Sequence, residues 1–138
     1  MALLRSQRWG TVCYWENRII SYMRGELNPQ LALPQRIAYI ATGEGKVVGL
    51  IAGHLTSRFG CQAELEWIDV DLDWRGKGIS TQLLHYLAAW FVEHSALHVC
   101  VNCASDNLPA QHFYRRNGAV TLSEHWLVWK DISSLPVP

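Results

Sequence analysis

The chain has 138 residues, a formal net charge of 0 and a hydrophobic fraction of 49%. That length suits one domain, residues 1–138, around a single core, and the hydrophobic content excludes wholesale disorder. Neutral charge without a basic run longer than a pair argues against nucleic acid as a partner. The first residues hold no apolar stretch long enough for a signal peptide or a membrane span, so we expect a cytoplasmic protein without a membrane partner.

The first third of the chain predicts a helix followed by a β-hairpin. Residues 11–25 carry apolar side chains at helical spacing, namely Val12, Trp15, Ile19, Tyr22 and Met23. Pro29 and Pro34 break the segment that follows into a loop or a short second helix. Two strands then cover residues 36–42 and 46–56, and a Gly-Glu-Gly turn joins them.

The rest of the chain alternates strands and helices. We expect a strand over 63–72, a helix over 80–94, a strand over 97–103, a helix over 108–117 and a closing hairpin over 120–123 and 126–130. The helical crossover between the first two of these strands should make them parallel neighbours. The sequence therefore predicts an α/β protein with a mixed sheet and helices on both faces.

A glycine-rich turn separates the third predicted strand from the helix that follows. Gly76 and Gly78 let the backbone turn tightly, and the first N–H groups of the helix then point at any anion in the turn. Arg75 and Lys77 add positive charge there, although each also suits a solvated turn when it is considered alone. The turn predicts a binding site for a phosphorylated cofactor.

A second segment reads Asn-Leu-Pro-Ala-Gln-His-Phe-Tyr-Arg-Arg-Asn-Gly-Ala from Asn107 onward. Read locally, Asn107 caps a helix, Pro109 fits its first turn and Gly118 ends it in a left-handed conformation. Tyr114 on this helix suits a half-buried aromatic residue when it is considered alone. The local signals therefore predict a helix and leave the function of its side chains open.

Together the two segments resemble the GNAT acetyltransferase superfamily. Arg75-x-x-Gly78-x-Ser80 is similar to its pyrophosphate motif, Arg/Gln-x-x-Gly-x-Gly/Ala, from which Ser80 departs. The family spacing Asn-x-x-Ala-x-x-Phe-Tyr-x-x-x-Gly is complete from Asn107, with Ala119 in place of the usual aromatic residue. The phosphate-loop pattern and the dinucleotide fingerprint both fail to fit the turn.

The resemblance implies a fold, a cofactor and its contacts. In a GNAT-like fold the two parallel strands splay apart, and acetyl-CoA, the acyl donor, enters between them. The implied contacts are Ile68, Asp69, Val70, Arg75, Gly76, Lys77, Gly78, Ile79, Ser80, Thr81, Asn107 and Tyr114. Asn107 would bond the pantetheine arm, and Tyr114 would stand beside the thioester sulfur.

The implied reaction is N-acetyl transfer to a primary amine of a small molecule or a protein. It needs a base for the amine and a donor for the departing thiolate. Tyr114 matches the family position of the donor. Glu64 and Glu66 are the candidate bases, because strand alternation would put them on one face with Ile68 and Val70. Direct action, action through water and a simple solvent-facing role stay open for each glutamate.

Cysteine and histidine spacing gives no support to a metal site. Cys100 and Cys103 lie three residues apart on a predicted strand, so their thiols should point to opposite faces. We therefore expect no metal. The six histidines are scattered, and His54 and His125 are candidates for minor substrate contacts.

The N-terminal region, residues 1–35, departs most from the family pattern. Few residues precede the first helical pattern, so the usual opening strand should be short or absent. Trp9, Trp15 and residues 27–33 would then shape the acceptor pocket, or a second subunit would complete it in a homodimer. Residues 63–119 form the expected cofactor-binding core. A non-catalytic acyl-CoA sensor would need only the cofactor motifs, and a structural interaction domain would need neither set of residues.

Overall fold

A computed structural model describes residues 1–7 and 11–138. Its helices are α1 (Ala2–Ser6), α2 (Val12–Met23), α3 (Ile79–Glu93) and α4 (Leu108–Arg116). Its strands are β1 (Ala32–Gly43), β2 (Lys46–Thr56), β3 (Ala63–Val70), β4 (Val99–Asn102), β5 (Val120–Ser123) and β6 (Trp126–Trp129). Across these described residues, no helix is both long and apolar enough to cross a membrane.

The six strands form one mixed sheet in the order β1-β2-β3-β4-β6-β5. Strands β3 and β4 are parallel neighbours, as the helical crossover predicts, while the other neighbouring pairs are antiparallel. The parallel register covers Ala63 with Val99, Glu64 with Cys100 and Leu65 with Val101, and it ends there. The part of β3 after Leu65 therefore has an edge that β4 leaves uncovered.

Helices cover both faces of the sheet, which confirms the predicted α/β architecture. On one face α3 packs Leu84, Leu87 and Phe91 against a core that includes Leu65 and β4. On the other face α1 and α2 cover a second core that includes Leu50 and Trp67. Helix α2 contributes the fully buried Trp15 and Tyr22 to that second core.

A β-bulge interrupts β3 in the middle of the sheet. Trp67 pairs with Ala52 and Leu65 pairs with Gly53, so Glu66 is an extra residue on β3. Leu65 therefore packs with the α3 core and Trp67 with the opposite core. Gly53 suits this place, because a Cβ atom there would lie 2.9 Å from the Glu64 carbonyl oxygen.

The bulge contradicts one expectation from the sequence. Strict alternation would put Glu64, Glu66, Ile68 and Val70 on one face, but the extra residue reverses the alternation beyond the bulge. Ile68 consequently packs with the same core as Leu65 and not on the side of Glu64. The prediction of one shared face is wrong.

The N-terminal third also differs from its prediction. β1 begins at Ala32 and includes Pro34, where a loop or short helix was expected. Proline is tolerated there because β1 is an edge strand and its register is irregular between Ala32 and Arg36. Helix α1 occupies Ala2–Ser6, and no strand precedes β1 within the described residues. Trp9 lies outside the described residues. The other predicted elements are confirmed, with ends that move by a few residues.

Candidate functional site

A cleft of about 540 Å³ opens where β3 and β4 part. Its walls are the free edge of β3, the turn before α3, the end of β4 and helix α4. The uncovered edge of β3 presents backbone N–H and C=O groups that an extended ligand can pair with, as an added strand would. The cleft therefore depends directly on the short register of the two parallel strands.

The glycine-rich turn forms one end of the cleft. Gly76 and Gly78 have φ angles of 76° and 81°, which other residues adopt only with strain. Gly78 is the N-cap of α3, so the unpaired N–H groups of the first helical turn face the cleft beside it. Arg75 donates from Nε to the Val70 carbonyl oxygen at 3.1 Å, which ties the turn to β3.

Nearly all the predicted cofactor contacts line this cleft. They are Ile68, Asp69, Val70, Arg75, Gly76, Gly78, Ile79, Ser80, Thr81, Asn107 and Tyr114. Lys77 differs, since its ammonium nitrogen lies 4.9 Å from the centre of the Trp74 ring and the residue does not line the cleft. The structure thus brings one turn, one strand edge and one helix together around a shared space.

Arg5 is a cleft residue that sequence reasoning missed. Its guanidinium forms a buried ion pair with the Asp69 carboxylate and lies 4.4 Å from the centre of the Trp15 ring. This pair joins α1 to β3, although the two residues are 64 positions apart in sequence. No local pattern around Arg5 indicates that contact.

Helix α4 contributes Asn107 and Tyr114 from its two ends. The Asn107 side chain accepts a hydrogen bond from the Ala110 N–H at 3.3 Å, so it caps the helix as the local pattern predicts. Tyr114 is 5% exposed and packs edge-to-face on Trp129 at 5.7 Å. Each residue has a structural role and also lines the cleft.

A second pocket of about 380 Å³ adjoins the cleft on the side of α2. Glu66 lines both spaces, whereas Glu64 lines the second pocket alone. Trp15 and Pro29, which belong to the region expected to shape an acceptor pocket, line this second pocket. Glu66, the bulge residue, therefore stands where the two spaces meet.

The two glutamates lie close to one another, with Glu64 buried and Glu66 half-buried. Glu64 is 4% exposed, and its Oε1 lies 3.4 Å from the Nε of Arg58. Burial is the largest cause that raises the pKa of Glu64 to about 8, and the charge of Glu66 is the second largest. Burial also raises the pKa of Glu66 above its ordinary value. Both carboxyl groups therefore hold protons more tightly than an exposed glutamate does.

His54, a candidate for a minor substrate contact, lies behind Glu64. It is 0% exposed, so it contacts Glu64 instead, with its Nε2 atom 3.9 Å from Oε2. Its Nδ1 atom hydrogen-bonds the Tyr22 hydroxyl at 2.8 Å, and burial lowers its pKa to about 4. His54 is therefore neutral at physiological pH. His125, the other predicted contact, is exposed beside Glu124.

One group of side chains has the spacing that a bound cation needs. Ligand atoms of His54, Glu64 and Glu66 lie within 4.8 Å of one another. The Nε2 atom of His54 has no hydrogen-bond partner among residues 1–7 and 11–138. Arg58 contacts Glu64 at 3.4 Å, so one positive charge already lies beside this group.

The cysteines confirm the expectation from strand alternation. Cys100 packs with Cys61 and Val128, whereas Cys103 belongs to the core under α3. Their thiols therefore lie on opposite faces of the sheet. All four cysteines of the chain are free thiols.

Comparisons with known proteins agree with this geometry. The sequence model of the family described as acetyltransferase (GNAT) matches residues 5–119. No curated protein sequence matches the chain significantly.

Solved structures of similar fold come from several bacteria. A GNAT-family protein of Desulfovibrio desulfuricans is 14% identical, with a TM-score of 0.72 and coverage of 95% of this chain and 92% of that one. An acetyltransferase from Bacillus cereus is 20% identical, with a TM-score of 0.60 and coverage of 83% and 87%. A Bacillus anthracis protein, solved in complex with acetyl coenzyme A, is 24% identical, with a TM-score of 0.57 and coverage of 70% and 60%. At these identities the structural likeness shows the fold alone.

The raised pKa of Glu64 predicts how a substitution changes stability with pH. The pKa of Glu64 rises from an ordinary 4.5 to about 8 on folding, so the unfolded chain loses this proton more readily than the folded one. The folded protein therefore loses stability as the pH increases from about 4.5 to about 8. Glutamine cannot ionise, so Glu64→Gln should raise the melting temperature more at about pH 9 than at about pH 5. Scanning calorimetry at both values tests this, with exposed Glu16→Gln as control. Equal shifts at both pH values would contradict the assigned environment.

Proposed function

Because the chain belongs to the GNAT acetyltransferase family, we propose that it transfers an acetyl group from acetyl-CoA to a primary amine of a small molecule or a protein. The observation that carries this proposal is the meeting of two spaces at Glu66. One space is the cleft with the glycine-rich turn, and the other is the pocket beside α2. Two adjoining sites suit direct transfer between two bound substrates.

Acetyl-CoA is the donor we assign to the cleft. The pyrophosphate would bind at the turn, held by the N–H groups at the start of α3 and by Arg75. The pantetheine arm would lie along the free edge of β3 at Ile68–Val70, with Asn107 opposite. A Bacillus anthracis protein of the same fold binds acetyl coenzyme A in its crystal structure, which supports this choice of donor.

The reaction needs one proton removed and one supplied. The amine nitrogen bonds to the acetyl carbon, the bond from that carbon to sulfur breaks, and CoA leaves as a thiol. Glu66 accepts a proton from the amine, because it reaches the second pocket and also faces the cleft. Tyr114, on α4, donates a hydrogen bond to the CoA sulfur and supplies the proton that the departing thiolate needs. A raised pKa suits Glu66 to this task, since a base is most effective near the working pH.

A non-catalytic acyl-CoA sensor would use the cleft without the second pocket. The carboxyl pair beside that pocket, with Glu64 buried and Glu66 half-buried, has no part in such a sensor, and taking carboxyl groups out of water is costly. Thiol release from acetyl-CoA in the presence of a panel of amines distinguishes the two functions. Binding of CoA without turnover on any amine would favour the sensor.

Removing the base predicts a specific kinetic change. Glu66→Gln should lower kcat by about 10²- to 10⁴-fold and remove the acidic limb of the pH profile. In the wild type that limb should lie above the usual glutamate range, because burial raises the carboxyl pKa. CoA affinity should change little. The measurement is the rate of thiol release from about pH 5 to pH 9, with exposed Glu93→Gln as control.

Glu64→Gln and the double variant complete the test of the base. If only Glu64→Gln lowers kcat, the base is Glu64, which lines the second pocket but not the cleft. Wild-type rates in both single variants and in the double variant would show that neither glutamate is the base.

Tyr114 has its own prediction. Tyr114→Phe keeps the buried ring against Trp129 and removes the hydroxyl donor, so kcat should fall by about 10²- to 10⁴-fold. CoA affinity and melting temperature should stay close to wild type. The half-exposed Tyr86→Phe is the matched control for loss of a hydroxyl group. Wild-type turnover by Tyr114→Phe, under conditions where chemistry limits the rate, would assign thiolate protonation to solvent.

A further inference from the structure

The second pocket, which takes the acceptor amine in the proposed function, carries two arginines stacked on aromatic rings. The Arg58 guanidinium lies 4.7 Å from the centre of the Trp126 ring. The Arg18 guanidinium lies 5.9 Å from the centre of the Tyr14 ring. All four residues line the pocket. A guanidinium over an aromatic ring is attracted to the ring face and keeps its N–H groups for other partners.

These guanidinium groups retain donors for a ligand. Arg58 uses Nε both for its hydrogen bond to the Gln30 carbonyl and for its contact with Glu64. Its Nη1 and Nη2 groups have no hydrogen-bond partner in the described parts of the chain, 1–7 and 11–138. A planar carboxylate matches such a pair of N–H groups in bidentate fashion.

A guanidinium and two carboxyl groups lie side by side in this pocket. Arg58 is 3.4 Å from the Glu64 carboxylate, and Glu64 and Glu66 lie within 4.8 Å of one another. An incoming amine can hydrogen-bond to the carboxyl pair, while a carboxylate on the same ligand is drawn to the arginine beside it. The short separation suits a ligand whose amine and carboxylate are attached to one carbon.

The remaining lining offers apolar surface. Tyr14 is 46% exposed, and Trp126 is half-buried between Arg58 and Phe59. Aromatic faces favour an apolar or aromatic body over a chain of further charges. A volume of about 380 Å³ suits a small molecule.

Building on the proposed function, we propose that the acceptor is an α-amino acid, or a close analogue, with an apolar side chain. Its amine nitrogen would face Glu66, its carboxylate would bind Arg58 and Arg18, and its side chain would pack on Trp126 and Tyr14. The neutral amine nitrogen forms the new bond to the acetyl carbon as the carbon–sulfur bond breaks. One amine proton goes to Glu66, and Tyr114 donates a proton to the departing thiolate, so CoA leaves as the thiol. The product is an N-acetyl amino acid.

The test compares amines that differ only in the carboxylate. L-Phenylalanine, L-phenylalaninamide and phenethylamine share one side chain, and L-leucine with L-leucinamide forms a second set. We expect kcat/KM for the free acids to exceed that of the amides and the plain amine by at least about tenfold, which corresponds to about 1.4 kcal/mol. Equal values, or a preference for the amide, would overturn the inference.

Arginine variants locate the selectivity. Arg58→Met and Arg18→Met should lower kcat/KM for the acids more than for the amides. The ratio of kcat/KM between acid and amide should therefore fall toward one in each variant. Arg24→Met is the control, because this exposed arginine ends α2 away from the pocket. If the preference for the acid over the amide persists in both variants and in the double variant, these arginines do not bind the carboxylate.

A binding measurement separates this inference from the proposed function. Calorimetry titrates each amine into the protein saturated with CoA. Acids that bind, and that lose affinity in Arg58→Met, support the inference even where turnover is absent. Turnover on amines that lack a carboxylate, without preference for the acids, overturns the inference and leaves N-acetyl transfer intact. Absence of both binding and turnover for every member of the panel overturns the inference.

Discussion

Strand β3 pairs with β4 over three residues and then continues without it, and this parting is the constraint on which the site depends. Beyond Leu65 the β3 edge is uncovered, and the cleft opens beside it. The β-bulge at Glu66 falls at the same place and turns one carboxyl group toward both spaces. One local irregularity in the sheet therefore positions both the backbone edge for a donor and the candidate base.

Burial then tunes the groups that the bulge brings together. Glu64 and Glu66 share a space where the protonated form is favoured, and neutral His54 closes it from behind. Arg58 opposes this trend by placing positive charge beside Glu64. The balance leaves both carboxyl groups with pKa values above the ordinary glutamate value, which suits the proposed role of a base.

Local sequence signals predicted the parts of the site that depend on local geometry. The glycine turn, the Asn107 cap and the parallel crossover follow from backbone sterics, helix capping and strand handedness. The bulge depends instead on Gly53 in the neighbouring strand, whose missing side chain leaves room beside the Glu64 carbonyl. Alternation along β3 alone cannot indicate it.

The contacts that sequence reasoning missed join distant parts of the chain. Arg5 with Asp69, and Tyr22 with His54, meet only after α1 and α2 have docked on the sheet. Arg58 lies in a short turn with no motif around it. Lys77 shows the converse case, in which a local charge pattern predicted a contact but the side chain turns to Trp74.

Hydrogen exchange measured by mass spectrometry, with and without saturating CoA, tests the central claim most directly. Backbone N–H groups on an uncovered strand edge and in a first helical turn exchange readily until a ligand pairs with them. The account predicts slower exchange on CoA binding in peptides that cover 66–70 and 76–82, with little change across β1. Protection confined to other segments, or no protection at all, would contradict a cofactor site in the gap between β3 and β4.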